Sequence, residues 1–272
     1  MGAVITVQAP ERRGSEGARV NVFGVLVSAT NPPAVLRAID RAIETDGRGY
    51  VCVTGVHGVI ESQRDAKLKQ IHNDAFLVVP DGMPLVWMLK WAGVRSAARV
   101  YGPDLMPEVL AQGIKASGQG TVYRHYFYGS TEETLSWLEA RLNERFPGIQ
   151  VVGRFSPPFR PLRDDEVDEI AARINAAAPH IVWVGLSTPM QERWMHDFRP
   201  LLKANLLIGV GAAFDFHAEK LSRAPRFMQR AGLEWLFRLL MEPRRLWRRY
   251  FKIVPKFIYL VFRQKILKRD PA

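Results

Sequence analysis

The sequence has little cysteine and no long hydrophobic run. Cys52 is the only cysteine among 272 residues, so the chain cannot form an internal disulfide, which is typical of a reducing cytoplasm. The longest apolar stretch, residues 253–262, contains a proline and a lysine and is shorter than the roughly 18 residues of a transmembrane helix. Residues 1–18 are polar and lack the apolar core of a signal peptide. We therefore expect no membrane span, no export signal and a flexible tail over residues 1–18.

Metal-binding motifs are also missing. The six histidines are scattered, and the chain has neither a His-Glu-x-x-His motif nor the Asp-x-Asp triplet with which many nucleotide-sugar enzymes hold a divalent cation. We expect no metal and no other cofactor, and we interpret the histidines as structural or surface residues.

The positive charge is concentrated at one end of the chain. The whole chain has 38 Lys and Arg against 27 Asp and Glu, whereas residues 223–272 have 14 against 3. The remaining residues are therefore neutral, with 24 of each sign. A neutral body with a cationic C-terminal segment predicts an anionic binding partner.

Apolar, β-branched segments alternate with amphipathic ones along most of the chain. The expected strands lie at residues 20–25, 50–54, 75–79, 125–128, 149–152, 181–184 and 206–210. The expected helices lie at residues 32–45, 58–72, 83–91, 105–116, 131–146, 164–178 and 191–203. This order predicts an α/β fold with a mostly parallel, Rossmann-like sheet sandwiched by helices, over a catalytic domain at residues 19–222. A helical, basic appendage follows at residues 223–272.

Ligands of such sheets bind at the carboxyl ends of the strands, so the loops after the strands are candidate sites. Asp81 follows a buried strand and precedes a helix, where a carboxylate could act as a general base or simply form an Asp-Gly turn. Residues 128–130 form a small-residue turn that could hold a phosphate or merely reverse the chain. Residues 209–214 resemble a dinucleotide fingerprint, but Phe214 replaces the third glycine, which disfavours a nicotinamide-dependent oxidoreductase.

The basic segment interleaves aromatic and cationic side chains. Leu246, Trp247, Tyr250 and Phe251 fall on one side of a helix predicted from Pro243, and residues 257–262 are entirely apolar. This pattern suits an interfacial helix on anionic lipid, and single-stranded nucleic acid or plain packing on the body are the alternatives. The apolar run favours the membrane.

Several ordered motifs together resemble the WecG/TagA/CpsF family of bacterial glycosyltransferases. They lie at residues 80–82, 99–105, 128–130, 189–194, 209–216, 223–225, 232–239 and 242–244. The resemblance implies an inverting, metal-independent transfer from a UDP-sugar to an undecaprenyl-diphosphate-linked acceptor in cell-envelope or exopolysaccharide biosynthesis. It also implies a peripheral protein at the anionic, cytoplasmic face of the inner membrane, without nucleic acid and possibly as a homo-oligomer.

The resemblance also implies roles for individual residues. Asp81 matches the proposed general base, and the best matches to the catalytic arginines of the appendage, which closes over the site, are Arg223, Arg238 and Arg244. The residues expected to bind substrate are Thr54, His57, Arg99, Tyr128, Gly129, Ser130, Gln191, Gly211 and Asp215.

The sequence departs from the family pattern at two places. His57 stands where an asparagine is common, and Glu219 stands where a glycine is usual before the Arg-Ala-Pro motif. The first change leaves N-acetylmannosamine, its uronic acid and glucose open as the transferred sugar. The alternative function is a non-catalytic basic protein that binds nucleic acid or membrane.

Overall fold

A computed structural model describes residues 7–8, 17–115 and 122–267 of the chain. Its strands are β1 (Val7–Gln8), β2 (Arg19–Val22), β3 (Val25–Ser28), β4 (Gly49–Thr54), β5 (Leu77–Pro80), β6 (Arg124–Gly129), β7 (Gln150–Phe155), β8 (Ile181–Gly185) and β9 (Leu206–Gly209). Its helices are α1 (Pro32–Glu44), α2 (Val56–Glu61), α3 (Ala66–Asp74), α4 (Met83–Trp91), α5 (Gly102–Lys115), α6 (Glu132–Arg145), α7 (Asp164–Ala177), α8 (Met190–Phe198), α9 (Ala213–His217), α10 (Arg226–Arg230), α11 (Glu234–Met241) and α12 (Pro243–Leu267).

The chain divides into two compact units whose segments alternate in sequence. The first unit contains the described residues of Met1–Asn31, Thr54–Val100 and Arg223–Ala272, and the second contains those of Pro32–Val53 and Tyr101–Ser222. The division into a tail, a catalytic domain and an appendage stays a prediction. Most of the expected tail, residues 1–6 and 9–16, lies outside the described residues.

The second unit is built on a parallel sheet. Five strands lie in the order β4-β9-β8-β6-β7, and every neighbouring pair is parallel. Successive side chains of a strand point to opposite faces. In β6, Phe127 packs edge-on against Phe214 of α9 at 5.7 Å between ring centroids, whereas Tyr128 stacks on Trp194 of α8 at 4.0 Å. Helices therefore cover both faces, and the predicted α/β fold class is confirmed.

The first unit contains an antiparallel hairpin where one strand was expected at residues 20–25. β2 pairs with β3, and Val22 lies opposite Val25. Phe23 and Gly24 between them have φ angles of 54° and 88°, as a two-residue primed turn requires. The Asn21 side chain accepts a hydrogen bond from the Gly24 N–H at 2.6 Å. The single-strand prediction was wrong because the apolar run continues through the turn.

Two helices, α2 and α3, take the place of the single helix expected at residues 58–72. α2 ends at Glu61, and α3 begins after Asp65, whose side chain accepts a hydrogen bond from the Leu68 N–H at 2.9 Å. Buried Arg19 of β2 donates to the carbonyl oxygens of Asn73, Ala75 and Phe76 around the end of α3. The hairpin and α3 are thereby joined inside the first unit.

The basic appendage forms the last three helices of the first unit. Leu246 and Ile253 of α12 are buried, and Tyr250 packs against Trp235 of α11 with ring centroids 5.7 Å apart. Phe257 contacts Phe23 at the hairpin turn at 5.9 Å. One face of α12 is thus held by apolar packing. Among the described residues, no helix is both long enough and apolar enough to cross a membrane.

Candidate active site

The predicted site residues fall in both units. Those in the first unit are Thr54, His57, Asp81, Arg99, Arg223, Arg238 and Arg244. Those in the second unit are Tyr128, Gly129, Ser130, Gln191, Gly211 and Asp215.

In the first unit, the ends of β4 and β5 bring Thr54 and Asp81 together. The Asp81 N–H donates to the Thr54 carbonyl oxygen at 2.9 Å. A Cβ at Gly55 would lie 3.0 Å from the Asp81 carbonyl oxygen and 3.9 Å from Asp81 Oδ2, so the carboxylate lies beside the chain that leaves β4. Thr54 is 2% exposed, and its Oγ1 has no hydrogen-bond partner among the described residues. The backbones of Asp81 and Thr54 are therefore adjacent at this edge.

Asp81 lies in the turn between β5 and α4. Gly82 has φ 111°, a conformation that side chains strongly disfavour, and α4 begins at the next residue with Pro84 in its first turn. Asp81 is half-buried between the end of the strand and the start of the helix. This is the location of a residue that presents its carboxylate at the carboxyl edge of a strand.

His57 lies in the first turn of α2 and is neutral at pH 7. Burial is the main cause that lowers its pKa, and the positive charge of Arg249 adds to it, so that the pKa falls from 6.5 to about 4. Its Nε2 is 3.7 Å from Glu61 Oε1, a contact that becomes an ion pair only when the imidazole is protonated. At neutral pH His57 can therefore both donate and accept one hydrogen bond.

Arg99 lies beside the end of β5, and its side chain is hydrogen-bonded to the appendage. The Val100 N–H donates to the Pro80 carbonyl oxygen at 3.0 Å, which places residue 99 next to the Asp81 turn. The guanidinium donates to Glu234 Oε2 and to Gln229 Oε1, each at 2.7 Å. Arg99, which the resemblance places among the substrate-binding residues, therefore also connects this turn to α10 and α11.

The three candidate arginines of the appendage differ in exposure. Arg238 is half-buried in α11, close enough to Tyr250 for its positive charge to oppose the rise in that phenol's pKa, which burial mainly causes. Arg223 and Arg244 are exposed, before α10 and in the first turn of α12. Arg238 is the one packed within the fold.

Large apolar side chains on the appendage are exposed. Trp247 and Phe251 of α12 are 51% and 77% exposed, although Leu246 beside them is buried. The sequence pattern predicts these three residues on one side of the helix. The other large apolar side chains exposed on α10–α12 and their connections are Phe227, Leu233, Leu240, Met241, Ile258, Tyr259 and Phe262.

In the second unit, the turn after β6 has an unusual backbone. Gly129 and Ser130 both have positive φ angles, 119° and 58°. A Cβ at Gly129 would lie 2.7 Å from the Gly185 carbonyl oxygen, so only glycine fits between β6 and β8. The Tyr128 ring is stacked in the core against Phe155, and burial raises its pKa. The Tyr128 side chain is therefore committed to core packing.

Gln191 occupies the first turn of α8 and is 2% exposed. Its Nε2 donates to Glu192 Oε1 at 3.1 Å, and the Thr188 hydroxyl donates to the same oxygen at 2.9 Å. Gly211, with φ 54°, lies beside the Gln191 amide. Sequence analysis included Glu192 in a motif without giving it a role, because nothing in the residue order shows that its carboxylate is buried.

Asp215 lies in the short helix α9 that follows the Gly211 turn. It is half-buried, and its carbonyl oxygen accepts a hydrogen bond from the Lys220 N–H at 2.9 Å. Within the described residues, no group of three or more His, Cys, Asp and Glu side chains could hold a metal ion.

Comparisons with known proteins agree with the motifs. The sequence model of the glycosyl transferase family described as WecG/TagA/CpsF matches residues 20–271. An N-acetylglucosaminyldiphosphoundecaprenol N-acetyl-beta-D-mannosaminyltransferase from Bacillus spizizenii is 30% identical over 211 residues, which are 78% of this chain and 77% of the relative. A protein of the same name from Bacillus subtilis is 28% identical over 206 residues, 76% of each chain.

Proposed function

The chain belongs to the WecG/TagA/CpsF family of glycosyltransferases, and on that premise we propose that it moves a sugar from a UDP-sugar to an undecaprenyl-diphosphate-linked acceptor. Both relatives are named as enzymes that transfer N-acetylmannosamine to N-acetylglucosaminyldiphosphoundecaprenol. N-acetylmannosamine is therefore the first donor sugar to test, before its uronic acid and glucose. The product would enter cell-envelope or exopolysaccharide assembly.

The observation that carries this proposal is the position of Asp81 at the end of β5, beside the end of β4. In an inverting transfer, an acceptor hydroxyl attacks the anomeric carbon while the nucleoside diphosphate leaves from the opposite side. A carboxylate that takes the hydroxyl proton contributes about 10²–10⁴ in rate. Asp81 has the chemistry for this role, and Gly82, with φ 111°, allows the turn that follows it.

Arginine side chains are proposed to stabilise the leaving diphosphate. Negative charge accumulates on the diphosphate as the glycosidic bond breaks, and guanidinium groups bind phosphate oxygens through paired hydrogen bonds. The appendage is rich in arginine, and Arg223, Arg238 and Arg244 are the candidates. No metal or cofactor is required in this proposal.

The appendage is also proposed to dock on the cytoplasmic face of the inner membrane. Trp247 and Phe251 expose apolar area beside Arg248 and Lys252, which are exposed too. Interfacial helices insert such apolar side chains, and each basic residue near an anionic surface contributes about 1 kcal/mol. A peripheral protein with a lipid-linked acceptor would meet its substrate there.

The catalytic proposal is tested by Asp81→Asn, with a short-chain lipid diphosphate acceptor and UDP-N-acetylmannosamine. We expect the melting temperature to stay close to that of the wild type and turnover to fall by about a hundredfold or more, because the amide cannot accept the proton. Asp168→Asn on the exposed face of α7 is the matched control. Near-normal turnover of Asp81→Asn would reject Asp81 as the base.

Membrane docking is tested with the paired substitution Trp247→Ala and Phe251→Ala. We expect reduced co-sedimentation with anionic vesicles, because the apolar insertion is lost, and little binding of either protein to zwitterionic vesicles, which lack the electrostatic attraction. Point variants are preferable to deletion of residues 223–272, because deletion also removes Glu234 and Gln229 from Arg99. Retention of the wild type on RNA, without vesicle binding, would favour the nucleic-acid alternative instead.

A further inference from the structure

Glu192 is a fully buried carboxylate with an unsatisfied oxygen. The residue is 0% exposed. Its Oε1 accepts hydrogen bonds from Thr188 Oγ1 and Gln191 Nε2, at 2.9 and 3.1 Å. Its Oε2 has no hydrogen-bond partner among the described residues. A buried acceptor without a donor carries a large desolvation cost, so Glu192 requires an explanation beyond packing.

The Glu192 carboxylate determines which way the neighbouring Gln191 amide points. Glu192 Oε1 accepts hydrogen bonds from both Gln191 Nε2 and the Thr188 hydroxyl, so the amide presents its N–H group rather than its oxygen to Glu192. Gln191 Oε1 is then directed elsewhere as an acceptor. It is buried as well and has no partner in the described part of the chain. Two buried acceptors at the start of α8 therefore lack donors.

Gly209, the last residue of β9, leaves room for this amide. A Cβ at Gly209 would lie 3.2 Å from Gln191 Cδ and 3.3 Å from its Nε2. A Cβ at Gly211 would lie 3.6 Å from Gln191 Oε1. The amide thus lies across the carboxyl end of β9, where parallel sheets bind ligands. Of the two glycines that resemble a dinucleotide fingerprint, Gly209 provides space for side chains and Gly211 adopts a positive φ of 54°.

We propose that Glu192 is a positioning residue that locks the Gln191 amide, so that its Oε1 accepts a hydrogen bond from an O–H or N–H group of the nucleotide-sugar. The inference rests on the proposed function, because it assumes that the ligand at this strand edge is the sugar donor. Thr188 assists by donating to the same carboxylate oxygen. A site with a fixed hydrogen-bond acceptor discriminates against ligands that have no hydrogen-bond donor at the facing position.

The test is a double-mutant cycle with Gln191→Met and Glu192→Gln, assayed by steady-state kinetics with UDP-N-acetylmannosamine. Glu192→Gln allows either amide to rotate, and we expect the KM for the donor to rise about tenfold or more, with a smaller change in kcat. Because Glu192 acts through Gln191, adding Glu192→Gln to Gln191→Met should change KM little further. Glu169→Gln, on the exposed face of α7, is the matched control.

Two outcomes would overturn the inference. One is a wild-type KM in Glu192→Gln, and the other is full additivity of the two substitutions, which indicates independent structural effects. If Glu192→Gln does not fold, Thr188→Val removes one of the two hydrogen bonds to Glu192. It should raise the donor KM about threefold or more, whereas an unchanged KM would refute the inference.

Failure of the proposed function is distinguishable from failure of this inference. A wild-type protein that transfers no sugar from any nucleotide-sugar would refute both. A wild type that transfers the sugar, together with Glu192 and Thr188 variants of unchanged donor KM, would refute the positioning role alone.

Discussion

The hydrogen bonds of Arg99 to Glu234 and Gln229 provide a quantitative test of how the appendage is held in the first unit. They join residues that are 135 and 130 positions apart in sequence. Replacing Arg99 by methionine keeps an unbranched side chain and removes both bonds, and Glu234→Gln removes the carboxylate charge. The two substitutions and their combination form a thermodynamic cycle.

The expected magnitude follows from the exposure of the pair. The side chains of Arg99 and Glu234 are 15% and 19% exposed, and the bond between them is 2.7 Å long. Exposed ion pairs contribute about 0.2–1 kcal/mol, whereas a hydrogen bond to a charged group contributes about 1.5–3 kcal/mol. We expect a coupling free energy of about 1–2 kcal/mol. The pair of Lys220 and Glu133, with side chains 34% and 71% exposed, should show roughly 0.5 kcal/mol or less.

The assay is native-state hydrogen exchange of the amides of α11. It reports the free energy of local opening and needs no two-state unfolding of the whole chain. Either single substitution should raise the amide exchange rates of α11. In the double variant, the increase over the wild-type rate should be smaller than the product of the two single increases. A coupling free energy below about 0.3 kcal/mol between Arg99 and Glu234 would refute the idea that this pair stabilises the position of the appendage.

Two further predictions concern stability. Gly129→Ala should lower the unfolding free energy by more than about 3 kcal/mol, because it combines a φ of 119° with a Cβ 2.7 Å from a backbone oxygen. Gly93 has φ 96°, but a Cβ there would have nothing within 4 Å, so Gly93→Ala should lower the unfolding free energy by only about 1–2 kcal/mol. Chemical denaturation measures both variants, and an equal loss of unfolding free energy in the two would contradict the packing argument. His57 has a folded pKa of about 4 against 6.5, so the unfolded state binds its proton first as the pH falls. Its contribution is therefore intact above pH 6.5, and about 3 kcal/mol is lost by pH 4. In denaturation experiments at several pH values, His57→Gln should reduce the fall in unfolding free energy between pH 6.5 and pH 4. An unchanged fall would contradict the burial of a neutral imidazole.

The sequence predicted the strands and helices whose boundaries depend on local chemistry. Residues 83–91 and the runs around Tyr50 and Ile181 carry clear periodicity, and each forms the expected element. The hairpin at Phe23 was missed because a non-glycine residue with φ 54° gives no sign of a turn. The break before Asp65 could have been read from its capping side chain.

The candidate site was only partly predictable, because burial and long-range partners are not encoded locally. The position of Asp81 after a buried strand could be inferred from sequence order alone. The pairing of Arg99 with Glu234, by contrast, depends on how distant segments pack. The same holds for Glu192, since a glutamate at the start of a helix is usually solvated.

The central claim is sugar transfer to a lipid-linked acceptor, and mass spectrometry of the products tests it most directly. The wild type is incubated with UDP-N-acetylmannosamine and a short-chain N-acetylglucosaminyl lipid diphosphate on anionic vesicles. We expect the acceptor to gain the mass of one N-acetylhexosamine residue, with one UDP released for each lipid modified. An acceptor of unchanged mass with every UDP-sugar offered, or UDP release that does not depend on the acceptor, would contradict the claim.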